Sequence, residues 1–148
     1  MAGRPRRAPQ EAAPAVLKVL VDTSAWVEFL NGTKSPEALA LDRLLAGEDD
    51  VCTCGIVVAE VFQGIRRERE ALEEFFRKMT LLEASGLSTY LRAADLYRSL
   101  RRRGVTVRST IDCLVAVLAD ENGCDVLARD RDLRLILASG LLSVRSWI

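Results

Sequence analysis

The sequence predicts an α/β domain, a parallel sheet of about five strands flanked by helices on both faces. Three observations point there. Short β-compatible apolar runs alternate with helical stretches over most of the 148 residues, as in a parallel sheet whose crossovers are helices. The leading run, Leu17-Lys18-Val19-Leu20-Val21, is almost wholly apolar, as a strand covered from both sides must be. That run stops at an acid, Asp22, and the carboxyl ends of strands are where open parallel sheets bind ligands.

Residues 1–15 are rich in Ala, Pro and Arg and are expected to be a disordered basic tail, leaving one domain over residues 16–148. After Asp22, the run Ala25 to Leu30 looks helical, and Asn31-Gly32-Thr33 is a turn. Ser35-Pro36-Glu37 starts a second helix, with proline at its first position, an apolar stripe of Leu39, Leu41, Leu44 and Leu45, and a stop at Gly47. Val51-Cys52-Thr53-Cys54 reads as the second strand, followed by helices over 55–65 and 68–78. Thr80 to Ala84 is the third strand, and a long helix over 88–103 ends in three arginines and Gly104. The helix that begins at Ser109-Thr110 is apolar nearly all round and is expected to be buried. Asp125 to Ala128 is the fourth strand, 130–138 a short helix, and Leu141 to Trp147 holds a fifth strand.

Composition narrows the chemistry. Histidine is absent, which removes Ser-His-Asp and Cys-His catalysis and His-ligated zinc. Formal net charge is zero and aromatics are 5%, so neither a global basic field nor a base-stacking platform is available to bind nucleic acid. Cys52, Cys54, Cys113 and Cys124 are not in zinc-ribbon spacing and read as small buried thiols of a cytoplasmic protein. No apolar run approaches the ~20 residues of a membrane span.

Acids in apolar or strand-terminal settings remain. Asp22 follows the first strand, Glu60 interrupts Ile56-Val57-Val58-Ala59-Glu60-Val61-Phe62, Asp112 interrupts Thr110-Ile111-Asp112-Cys113-Leu114, and Asp130 follows the fourth strand with Asp132 just beyond. A charge in an apolar segment is expensive unless it is paired, hydrogen-bonded or on a metal. Carboxylates within ~4 Å repel by about 4 kcal/mol per pair at an effective dielectric near 20, so a cluster needs protons or cations. Oxygen ligands without His or thiolate select Mg²⁺ or Mn²⁺, which orient and activate water against a phosphodiester. Asp120 is ~12 Å along the helix from Asp112 and is set aside. Trp26 and Phe29, three apart, are core residues or the lining of an apolar groove.

The motifs Val21-Asp22-Thr23-Ser24-Ala25-Trp26, Val58 to Gly64, Val107 to Ala116 and Leu127 to Leu133 occur in an order that resembles PIN domains, and among them the VapC-type toxins of bacterial toxin–antitoxin pairs. The resemblance spans residues 17–148. It implies a Mg²⁺- or Mn²⁺-dependent endoribonuclease on a five-stranded parallel sheet, a homodimer neutralised by a cognate antitoxin. It implies Asp22, Glu60, Asp112 and Asp130 as catalytic and metal-holding acids, with Ser24 and Thr23 supporting the site. Asp132 is close enough to substitute for Asp130 or to stand behind it. Arg108, Arg129 and Arg131 are the candidates for contact with the RNA substrate. The N-terminal tail is longer than the family needs. Rival readings are a PIN-type nuclease in RNA processing without an antitoxin, and a non-catalytic binding module.

Overall fold

A computed structural model describes residues 16–148, and the predicted basic tail lies outside the described residues. The element order is β1 (Lys18–Val21), α1 (Thr23–Leu30), α2 (Pro36–Ala46), β2 (Asp50–Cys54), α3 (Gly55–Gln63), α4 (Arg69–Arg77), β3 (Thr80–Leu82), α5 (Leu87–Arg102), α6 (Thr110–Glu121), β4 (Asp125–Leu127) and α7 (Arg131–Ala138). The strands form one sheet in the order β3-β2-β1-β4, and every pairing is parallel. Leu20 is in register with Cys52 on one side and Val126 on the other.

This strand order carries the functional consequence. The chain leaves β1 toward β2 and β3, then returns to place β4 on the opposite side of β1. The carboxyl ends of β1 and β4 therefore flank the point where the winding reverses, the crevice in which such sheets bind ligands. Asp22 follows β1 directly and Asp130 closes the turn after β4.

The sheet is held by apolar burial. Val19, Leu20, Val21, Cys52, Cys54, Val126 and Leu127 are fully enclosed; complete burial of one aliphatic side chain stabilises by roughly 1.5–3 kcal/mol. All four cysteines are buried and free. Helix α6 buries Cys113 and Val115 through Ala119, as its unbroken apolar composition requires. Trp26 is fully buried and anchors an aromatic cluster, with its ring 4.7 Å from Phe76 and edge-on to Phe29 and Phe75. Phe29 is half-buried and, with Leu30, Leu45, Ile65, Leu72 and Phe75, lines a groove of about 920 Å³ beside that cluster. Trp26 is thus a core residue whose ring also borders the groove, and Phe29 packs on the core while lining it.

Two expectations are corrected. The segment Leu141 to Trp147 does not form a strand: it contributes one parallel bridge, Val126 to Ser146, with Val126 N donating to Arg145 O and Trp147 N donating to Val126 O. Its earlier amides are used elsewhere, Leu141 N on Ser139 Oγ and Ser143 N on Asp120 Oδ1, so no ladder propagates. Helix α1 begins at Thr23 rather than Ala25, because the Asp22 carboxylate caps it. That shift puts both hydroxyl residues in the first helical turn, beside the acid.

Candidate active site

Asp22 is the N-cap of α1. Its Oδ2 accepts Ser24 N at 3.1 Å and Ser24 Oγ at 2.6 Å, and its own amide donates to Leu127 O of β4 at 2.9 Å. The side chain is buried. Burial pushes its carboxyl above the ordinary range, the bonds from Ser24 pull it down, and the charge of Asp130 raises it again.

Ser24 also faces the other strand end. Its Oγ accepts the amides of Arg129 at 2.9 Å and Asp130 at 3.2 Å, so one hydroxyl joins the end of β1 to the β4–α7 turn. Asp130 is the N-cap of α7, its Oδ1 accepting Asp132 N at 2.7 Å and Leu133 N at 3.1 Å. Thr23 reaches the third element: its Oγ1 donates to Glu60 Oε1 on α3 at 3.2 Å.

Asp112 is in the first turn of α6, behind the Ser109 cap. The helix dipole favours a carboxylate there, yet its carboxyl is pushed up to about 7, first by burial and then by Asp130, Asp22, Asp132 and Glu60. Four acids from the neighbouring elements therefore act on Asp112. Asp112, Asp130 and Asp132 each bring a carboxylate oxygen within 4.8 Å of the others.

Asp132 differs from its neighbours. Its Oδ2 accepts both Arg108 N at 3.0 Å and Arg108 Nε at 3.1 Å, and these bonds hold its carboxyl below the ordinary range. Arg108 is 80% exposed while Asp132 is 6% exposed at the side chain, so the guanidinium lies at the rim and the acid beneath it.

The remaining candidates separate. The Arg129 guanidinium turns away to Glu28 at 3.5 Å and Glu37 at 3.4 Å. Arg131 is exposed at the start of α7. Asp120 pairs with Arg92 at 2.8 Å, in keeping with its dismissal from the site. Sequence reasoning missed Glu37. Its place after Ser35-Pro36 is explained by the helix start alone, and nothing local marks its partners, Arg129 and Arg134, more than ninety positions away.

The donor set fits a hard divalent cation: the acids offer carboxylate oxygens, and burial and charge repulsion both disfavour the Asp112 carboxylate, which a bound cation favours. Arg108 is the single cation hydrogen-bonded to these five acids among the described residues, and it engages only Asp132.

Acids from four separate elements, gathered at the winding reversal of a short parallel sheet, define an acidic centre. The chain belongs to the PIN-domain family, whose model matches residues 19–136. It is similar to Ribonuclease VapC11 of Mycobacterium tuberculosis, 36% identical over 121 residues that cover 80% of this chain and 90% of that protein. VapC ribonuclease Mb1587 of Mycobacterium bovis matches with the same identity and coverage. In fold it is similar to a chain of the VapBC2 structure from Rickettsia felis, solved bound to a promoter DNA fragment (TM-score 0.65, 17% identity, 89% of this chain and all of that one). VapC20 of Mycobacterium tuberculosis, a toxin that cleaves the sarcin–ricin loop, aligns with TM-score 0.54 and 21% identity over 86% of this chain and 98% of its own.

Proposed function

We propose that the protein is a Mg²⁺- or Mn²⁺-dependent endoribonuclease, the toxin of a VapBC-type toxin–antitoxin pair, acting in the cytoplasm. The convergence of Asp22, Glu60, Asp112 and Asp130 carries the reading, in a chain 36% identical to proteins named as ribonucleases. Those four acids would hold the ion. When bound, a divalent ion activates water and neutralises the phosphodiester under attack.

The chain's own groups do the rest. Ser24 and Thr23 fix the carboxylates of Asp22 and Glu60 before substrate arrives, so no reorganisation is needed during the reaction. A carboxylate not engaged with the ion accepts the proton from the attacking water. Asp132, whose carboxylate comes within 4.8 Å of Asp112 and Asp130, holds Arg108 at the rim of the centre, where an exposed guanidinium suits the phosphate backbone of RNA. Arg131 is a second exposed cation on the same turn. Arg129, paired on both sides with glutamates, serves the turn more than the substrate.

The groove beside Trp26, lined by Phe29, Leu30 and Phe75, supports an antitoxin partner, because partly exposed aromatic and aliphatic side chains in a depression of about 920 Å³ suit an amphipathic helix. A homodimer is part of the same reading. The solved VapBC complexes that share this fold are consistent with such a partner.

Single-stranded RNA is expected to be cut by the purified protein in Mg²⁺ or Mn²⁺ and left intact in chelator. Expression is expected to arrest growth, with relief on co-expression of an adjacent small gene. Cleavage that survives chelation overturns the metal reading; arrest that no adjacent gene relieves favours a processing nuclease without an antitoxin.

A further inference from the structure

Glu37 is a buried acid outside the cluster, 5% exposed, in the first turn of α2. One of its oxygens meets Arg129 Nη1 at 3.4 Å, and the other is bound by Arg134 Nη2. Arg134 lies on α7 and also donates Nε to Ala128 O at 3.1 Å, at the exit of β4. One carboxylate thus grips both sides of the turn that carries Asp130. The amides of Arg129 and Asp130, on the inner side of this turn, are received by Ser24 Oγ. Helix α2, through Arg129 and Arg134, and Ser24 thus both hold the segment Ala128 to Asp130.

A carboxylate among four like charges is pushed outward by its neighbours. Asp130 is the acid whose charge contributes most to raising Asp112 after burial, and it sits on a turn rather than inside a helix or strand. Without the outer restraint, that turn is tied back only by the Ser24 bonds to its amides and by its own α7 cap, and repulsion displaces it more easily. We infer that Glu37 is a positioning residue for the acidic centre: through Arg129 and Arg134 it locks the β4–α7 turn so that the Asp130 carboxylate stays facing Asp22 and Asp112. This rests on the metal-centre reading for its consequence, but not for the lock itself.

The test uses the full chain carrying Glu37→Gln, which keeps the shape and removes the charge. Without metal, amide exchange at Arg129 and Asp130 is expected to accelerate about tenfold relative to wild type, while the buried amides of α6 keep their protection. The dissociation constant for Mn²⁺, measured by calorimetry at a temperature where both proteins are folded, is expected to rise about tenfold, the usual scale for loss of an outer-shell partner. Arg134→Lys keeps a cation but not the fork that spans Glu37 and Ala128 O, and is expected to reproduce both effects if Glu37→Gln folds poorly. Arg92→Gln removes a comparable ion pair between α5 and α6, away from the turn, and is expected to leave Mn²⁺ affinity unchanged. Wild-type Mn²⁺ affinity in folded Glu37→Gln, or unchanged exchange at Arg129 and Asp130, overturns the inference. If wild type binds no Mn²⁺ while the exchange effect appears, the lock stands and the metal reading fails.

Discussion

Thr23 Oγ1 donates a 3.2 Å hydrogen bond to Glu60 Oε1, joining the first residue of α1 to an acid on α3, 37 positions away. The bond selects one orientation for a half-buried carboxylate that would otherwise be free to turn to solvent. Thr23→Val keeps the size and removes the donor. Catalytic rate is expected to fall about tenfold, equal to ~1.4 kcal/mol, with a stability change within about 1.5 kcal/mol. Thr23→Ser is expected to retain most of the rate. A Thr23→Val variant cutting RNA at the wild-type rate removes Thr23 from the site.

Ser24 has a heavier duty, since its hydroxyl donates to Asp22 and accepts two backbone amides. Ser24→Ala leaves those amides without that acceptor, at a cost of about 1–3 kcal/mol. Denaturant unfolding is expected to show this loss, together with a drop in cleavage rate larger than that of Thr23→Val.

Asp112→Asn separates activity from stability. RNA cleavage is expected to fall at least about 100-fold, or ~2.7 kcal/mol of transition-state stabilisation. The metal-free variant is expected to melt higher than wild type at neutral pH, because the change removes a charge that burial and four acids disfavour. Asp22→Asn is expected to lose activity to the same degree. If both variants cut RNA normally, the acids are not catalytic.

The same imbalance fixes a pH dependence. Asp112 has its carboxyl raised from 3.8 to about 7, so between about pH 5 and 7 the folded chain holds a proton that the unfolded chain has released. Raising pH across this window strips that proton and stability falls; Asp22, also raised, acts in the same direction. Asp132 and Glu28 are lowered and titrate beneath the window, and there is no histidine to titrate within it. In chelator, the melting temperature is expected to fall from pH 5 to 7. Asp112→Asn is expected to flatten the slope, and Mg²⁺ to reverse it. A melting temperature that is constant or rising in chelator contradicts this account.

The sequence by itself determined four of the sheet's strands and most of the acids. Apolar runs on both pleat faces mark Val19–Val21 and Val126–Leu127 as strands buried on two sides, and an all-apolar α6 leaves burial as the only stable outcome. Acids interrupting such runs stand out for the same reason: an unpaired charge there is costly, so each one implies a partner. The family motifs then implied a common purpose for them, since order along the chain is readable where distance is not.

Tertiary structure alone decided which groups meet. The fifth strand shrank to one bridge because Ser143 found Asp120, a long-range competition no local pattern reveals. Asp130 and Asp132 are nearly equivalent in sequence, yet Arg108 claims one and the α7 cap the other. Glu37 had a complete local explanation as a helix-start acid, while its two arginine partners come from the opposite end of the chain. Periodicity reports which face of an element is apolar; it carries no information about which polar atom another element will place within 3 Å, and that spacing is what makes this site.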